Sequence, residues 1–349
     1  MRNHDLREAM SVRRMFRAVC AGLLSLGMGS LAAAQDYPAR TITLIVPFAA
    51  GGPTDMVARV VGEHMSKTLG RQIVIENVVG AGGTTGTSYV MRATPDGYTI
   101  GTGNMGTHAA AVALYPGLPY DPAVDFEPIG QSASTPFVIL ARKDFPARDL
   151  REFVAYVKSN ADKLNMAHAG VGSVSFITCG LLNSLLDAKP TLVPYNGTAP
   201  AMNALVAGQV DYMCDQIANV VPEVVDQTIK AYAIATAVRN PALPDIPTTR
   251  EGGLPEFEFS AWNGLFAPKG TPKPVLDALT DALDKALSDK ATRKRLREHG
   301  SDVPDGPRRG QQALATLVKN EIARWVPFLK AAAASSHARA PGLAPEPGP

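Results

Sequence analysis

The sequence predicts an α/β protein built as two lobes, each a mainly parallel sheet flanked by helices. Three observations carry that expectation. Short apolar stretches with strand character alternate with helix-period stretches along most of the chain, the pattern of βαβ construction. The 349 residues exceed what one such core usually carries. Glycine-rich turns recur where strands hand over to helices, the place at which open α/β sheets bind ligands.

Taken in order, Thr41–Val46 reads as a buried strand stopped by Pro47. Thr54 is expected to cap a helix carrying Met56, Val57, Val60 and Val61 on one face and ending near Gly70. Gln72–Glu76 is a strand, Asn77–Gly83 a loop, and Thr84 opens a helix to Ala93. Pro95-Asp96-Gly97 turns into strand Tyr98–Thr102, followed by a short helix Thr107–Leu114 and a Pro-rich surface loop Tyr115–Pro128. Strands are expected near Ile129 and at Phe137–Ala141. Then come helix Asp149–Lys158, strand Leu164–His168, helix Ser173–Leu186, strand Thr191–Val193 and helix Pro200–Ala207. Strands Val210–Cys214 and Ile229–Ala235 lead to a Pro-rich loop, Asn240–Pro255. Strand Ser260–Ala267 and helices Pro272–Leu287, Ala291–His299 and Gln311–Leu329 complete the fold. Residues 334–349, small and Pro-rich, are expected to be disordered.

The N-terminus reads as an address. Met1–Arg17 is basic and Ala18–Leu31 is an apolar run too short to span a bilayer comfortably. Ala32-Ala33-Ala34 supplies a cleavage pattern, so residues 1–34 are expected to be a secretory leader and the mature protein to work outside the cytoplasm. The leader carries +3 of the net +2 charge, leaving the body at −1. A near-neutral body excludes a nucleic-acid footprint. Cys179 and Cys214 remain in the mature chain. An oxidising compartment allows a bridge between them, and two buried free thiols are the alternative. No metal-ligand spacing is present, and neither a metal nor a cofactor is expected.

Four glycine-rich loops carry the functional signal. They are Pro47–Asp55, with Gly51, Gly52, Thr54 and Asp55; Gly80–Gly86, with Ala81, Gly82, Gly83 and Thr84; Thr102–His108, with Asn104 and His108; and Ala169–Ser173, with Gly170, Gly172 and Ser173. Glycine lets the backbone approach a ligand, and the helix that follows offers unpaired N–H groups to negative charge. Asp55 and Asp215 follow strands and are candidates for either helix capping or ligand contact. Gly80-x-Gly82 does not continue into a dinucleotide fingerprint, and no phosphate-binding P-loop or nucleophile elbow occurs. A Ser173/His168 or Ser173/His108 hydrolase stays open, but no oriented acid completes it, and no catalytic residue is assigned.

The run Tyr37–Ile100, with Leu118-Pro119-Tyr120-Asp121-Pro122, Val193-Pro194-Tyr195-Asn196-Gly197, Gly208-Gln209-Val210-Asp211 and Ala261-Trp262-Asn263-Gly264, resembles the Bug family of periplasmic solute receptors of tripartite tricarboxylate transporters. The resemblance runs to about Leu329. It implies a Venus-flytrap protein that captures a small organic acid between two lobes and delivers it to membrane transporter subunits. It further implies lobe one at residues 35–140 and 250–333, lobe two at 141–249, and hinge crossovers near Leu140 and Thr249. A monomer is expected. Phe48, Ala50, Tyr195 and Gly197 join the four loops as expected ligand contacts. Where members often carry Pro, Ala50 stands, and where they often carry His, Phe176 stands, either on the pocket wall or in the core. A receptor signalling to a membrane sensor is the alternative to transport.

Overall fold

A computed structural model describes residues 37–338. The expected leader, and the tail beyond Ala338, lie outside the described residues. Nine strands are present among the described residues: β1 (Ile42–Val46), β2 (Ile73–Asn77), β3 (Thr99–Asn104), β4 (Phe126–Arg142), β5 (Asn165–His168), β6 (Thr191–Pro194), β7 (Tyr212–Gln216), β8 (Ile229–Ile234) and β9 (Ser260–Pro268). They run in the order β2-β1-β3-β9-β4-β7-β5-β6, with β8 paired to β4. The outer pairs β1/β2, β1/β3, β5/β6 and β5/β7 are parallel, as βαβ alternation requires. The strands linking the lobes, β4 and β9, run antiparallel to their neighbours.

Strand β4 belongs to both lobes. Phe126–Pro136 pairs with β9, and Phe137–Arg142 pairs with β7 and β8. The chain returns at Phe259. There Phe137 N–H donates to Phe259 O at 3.2 Å, Phe259 N–H to Ala235 O at 2.9 Å and Ala235 N–H to Phe137 O at 2.8 Å, a closed ring of three backbone hydrogen bonds at the crossing. The exchange of sheets thus falls at Pro136/Phe137 and Phe259, displaced from the expected Leu140 and Thr249. Thr249 is still tied to the second lobe, its N–H donating to Ile234 O at 2.9 Å.

The helices are α1 (Pro53–Leu69), α2 (Thr84–Arg92), α3 (Ala111–Leu114), α4 (Leu150–Asn160), α5 (Val174–Leu186), α6 (Thr198–Val206), α7 (Ile217–Val225), α8 (Lys273–Ser288), α9 (Lys290–Glu298) and α10 (Gly310–Ala338). Their ends follow local chemistry. Asp149, Ser173 and Asp289 cap α4, α5 and α9 by accepting the N–H groups of Glu152, Phe176 and Thr292. Gly70, at φ 66°, closes α1 in the left-handed conformation. Thr54 is not a cap as expected: Gly52 occupies that position, Pro53 starts the helix, and Thr54 Oγ1 turns to Asn263 Oδ1 at 3.3 Å.

Two further differences have identifiable causes. Strand β4 is one element of 17 residues where a surface loop and two strands were expected, because bulges at Pro128/Gly130 and Gln131/Ala133 break the alternation that marks a strand. Helix α7 was not expected, because Pro222 interrupts its helical pattern. Helix α10 runs to Ala338, past the expected start of the tail at Ala334. Gly101-x-Gly103-x-x-Gly106 does carry dinucleotide spacing, but Gly101 and Gly103 lie inside β3, where Val90 and His108 press on the backbone. Cys179 on α5 and Cys214 on β7 form a disulfide, with Cα atoms 5.4 Å apart. No helix among the described residues is long and apolar enough to cross a membrane.

Candidate functional site

Four helix N-termini converge between the lobes. Gly52-Pro53-Thr54 opens α1, Ser173-Val174-Ser175 opens α5, Thr198 opens α6 after Gly197, and Gln216 precedes α7. These segments, with Phe48, Asn104, Phe137, Ala169 and Asp215, enclose a cavity of about 20 Å3. The first-turn N–H groups of a helix have no intrahelical acceptor and carry the positive end of its dipole. A second cavity, about 360 Å3, continues the cleft past Phe48 and Ala169 to Gly80–Gly83, Tyr115, Gly170, Val171 and Pro194–Asn196. No Lys or Arg lines either one.

Side-chain hydroxyls and amides along this wall are mostly committed to the loops themselves. Ser173 Oγ donates to Gly170 O at 2.6 Å, and Asn104 Oδ1 accepts the N–H groups of Gly106 and Thr107. Ser175 Oγ accepts the Ala169 N–H at 2.9 Å. Asp55 accepts Gly51 N–H, a bidentate pair from Arg59 and the Asn77 amide. Burial opposes its charge, but these donors outweigh burial and hold its pKa below the usual value. Its carboxylate is a brace for the first loop and lines neither cavity. Peptide N–H groups are therefore the donors left for an anion.

The cleft is closed. Ala49 N–H donates to Asn196 O at 3.0 Å across it. The Tyr115 hydroxyl lies between Ala81 O, at 2.8 Å, and Val171 O, sharing one proton between carbonyls of the two lobes. Gly82, at φ 61°, leaves no room for a side chain: a Cβ there would lie 1.9 Å from Val171 O.

Of the residues expected from sequence, Phe48, Gly52, Thr54, Asn104, Ser173 and Asp215 line the enclosed cavity. Phe48, Ala81, Gly82, Gly83, Gly170 and Tyr195 line the outer one. Ala50, Gly51, Asp55, Thr84, His108, Gly172, Phe176 and Gly197 line neither. Thr84 Oγ1 donates back to Ala81 O at 2.9 Å. Gly172 makes room for the Tyr115 ring, and Gly197 for Ala49. His108 is buried, stacked on Phe266 at 4.0 Å, with Nδ1 2.9 Å from Thr107 Oγ1. Burial pushes its pKa down to about 3, so it is neutral. Phe176 packs against the hydrophobic core and edge-on to His168, which is the core alternative. His168 Nδ1 accepts the Gly170 N–H, so both histidines of the hydrolase alternative have their Nδ1 bonded to groups other than Ser173.

Thr198, Gln216 and Tyr115 are cleft residues that sequence reasoning missed. Thr198 was visible in principle as the residue after the Tyr195-Asn196-Gly197 turn. Gln216 was hidden with α7, and Tyr115 by its Pro-rich surroundings.

The sequence profile described as "Tripartite tricarboxylate transporter family receptor" matches residues 57–333. The chain belongs to this receptor family. The receptor is similar to MatC from Rhodopseudomonas palustris, solved with bound malate: 52% identity, TM-score 0.81, covering 84% of this chain and 100% of that one. It is similar to the periplasmic binding protein BugD at 44% identity and TM-score 0.82, covering 85% of this chain and 99% of that one. It is also similar to an R. palustris protein solved with adipate, at 32% identity and TM-score 0.81, covering 85% and 99%. The receptor thus has the two-lobed fold of periplasmic solute-binding proteins, and its family consists of substrate-binding receptors.

Proposed function

We propose that this receptor captures a small dicarboxylic acid in the periplasm and delivers it to a tripartite tricarboxylate-type transporter. In this reading residues 1–34 direct export and are removed near Ala34, and the mature receptor works as a monomer. The observation that carries the ligand class is the convergence of four helix N-termini on a cavity with no Lys or Arg in its wall. Such a wall favours a carboxylate through dipoles and peptide N–H groups. The acids bound by similar receptors, malate and adipate, are both dicarboxylates. Lobe one contributes the α1 end and lobe two the α5, α6 and α7 ends, so an acid between them draws the lobes together.

A thermal-shift screen of the mature protein against mono-, di- and tricarboxylates, with the dimethyl esters as controls, tests the reading. A ligand at 100 times its Kd stabilises by about 2.7 kcal/mol. A free dicarboxylate is expected to shift the melting temperature and its ester is not. Equal shifts from acid and ester would defeat the carboxylate assignment.

A further inference from the structure

The carboxylate reading accounts for the donors of the cleft but leaves one acceptor unexplained. Gln216 is 5% exposed and lines the enclosed cavity, and its Oε1 has no hydrogen-bond partner. A buried polar atom without a partner is uncommon in native proteins and calls for an account. The donors beside it are engaged elsewhere, the Thr198 hydroxyl with Asp215. The Gln216 backbone N–H goes to Asp215 Oδ1 at 2.7 Å, and the Asn219 amide goes to Asp215 Oδ2. Ser173 Oγ donates to Gly170 O.

The chemistry of the missing partner follows from what stands beside it. Asp215 is wholly buried, and both its oxygens already accept hydrogen bonds. The burial that pushes its pKa up to about 7 penalises any negative charge brought into the same corner. Both acid groups of a ligand therefore belong against the α1, α5 and α6 ends, and the Gln216 corner, at the start of α7, takes a hydrogen-bond donor that carries no negative charge.

We infer that Gln216 Oε1 receives the hydroxyl proton of the bound acid, so that the receptor selects 2-hydroxy dicarboxylates over unsubstituted ones. The inference rests on the carboxylate reading above and adds the group on the carbon next to a carboxylate. Gln216 is then a specificity-determining residue: a site built to bond a hydroxyl leaves its own buried atom unpaired when the analogue lacks that group.

Calorimetric titration of the mature protein with malate, succinate, 2-fluorosuccinate and aspartate tests this. Malate is expected to bind about 10- to 100-fold more tightly than succinate or 2-fluorosuccinate, the latter having an acceptor in place of the donor. In Gln216→Met, malate is expected to fall to the level of succinate, while succinate changes by less than about threefold. Should that variant not fold, the comparison of malate with 2-fluorosuccinate on the unaltered protein decides. Equal affinity for malate and 2-fluorosuccinate, an unchanged malate-to-succinate ratio in Gln216→Met, or tightest binding of aspartate would each overturn the hydroxyl assignment. Binding of succinate as tight as malate would leave the carboxylate reading standing. Failure of every acid to bind would remove both.

Discussion

The Ala49 N–H donates to the Asn196 carbonyl at 3.0 Å, joining the first glycine loop of one lobe to the turn before α6 in the other. Together with Tyr115 against Val171, it is a direct polar tie across the cleft. Neither survives if the lobes part. Ligand is therefore expected to protect the Ala49 amide from hydrogen exchange and to reduce the radius of gyration in solution scattering. Identical profiles with saturating ligand, binding being confirmed by calorimetry, would mean that the lobes do not move.

Tyr115→Phe removes the hydroxyl and keeps the ring. One hydrogen bond contributes about 0.5–1.5 kcal/mol, so ligand affinity is expected to fall about 2- to 10-fold with little change in the melting temperature of the unliganded protein. Unchanged affinity would show that the hydroxyl does not support the closed form.

Gly82→Ala places a methyl group 1.9 Å from the Val171 carbonyl in the closed cleft. The variant is expected to fold, at a cost of about 1 kcal/mol for the left-handed backbone. It is expected to bind ligand at least about tenfold more weakly, because the lobes stop short of contact. Gly208→Ala is the control: it shares the backbone strain at φ +71° with no neighbour within 4 Å. Equal affinities in the two variants would refute the steric argument.

The disulfide closes a loop with a sequence separation of 35. Chain entropy assigns such a crosslink about 3–4 kcal/mol. Reduction, or Cys179→Ala with Cys214→Ala, is expected to lower the melting temperature by roughly 5–10 °C. The mature protein is expected to show free thiols only after reduction, and thiols titrating beforehand would rule the bridge out. Cys214 directly precedes Asp215 and Gln216, and Cys179 lies on the helix that Ser173 caps, so the bridge also ties together two walls of the cavity.

Burial raises the pKa of Asp215 to about 7 in the folded chain, from its ordinary 3.8. Between those values the unfolded chain has lost a proton that the folded chain keeps. Asp215 therefore removes stability as pH rises from about 4 to about 7, on the order of a few kcal/mol in all. His108 acts in the opposite sense: its folded pKa near 3 lies below its ordinary 6.5, so it adds stability as pH rises through that interval. Asp215→Asn is expected to gain stability relative to the unaltered protein as pH goes from 4 to 7, measured by denaturation at each pH. A difference independent of pH would show that Asp215 titrates normally.

The parallel outer strands and the glycine turns were legible because each rests on local signals: an apolar run, a glycine, a helix start. The hinge strand was not, because β4 takes its partners from both lobes and its two bulges are set by β9, more than a hundred residues away. At the site, sequence proximity identified the loops but not the aim of their side chains. Asp55 is turned away by Arg59 and Asn77, and His108 by Phe266 and Thr107, none of which adjacency to a glycine could reveal except Thr107. Gln216 escaped because Pro222 disguised the helix it precedes.

A grip composed of peptide N–H groups is written into the course of the chain and not into the identity of its side chains. Amino-acid replacement cannot delete such donors one at a time, short of proline, so on the carboxylate reading proposed above the hold on the acid is inherited with the loops. What replacement can alter is the remainder of the wall outside the core: Phe48, Thr198 and Gln216. A gene copy of this receptor would thus be able to drift toward a new acid without passing through an intermediate that binds none.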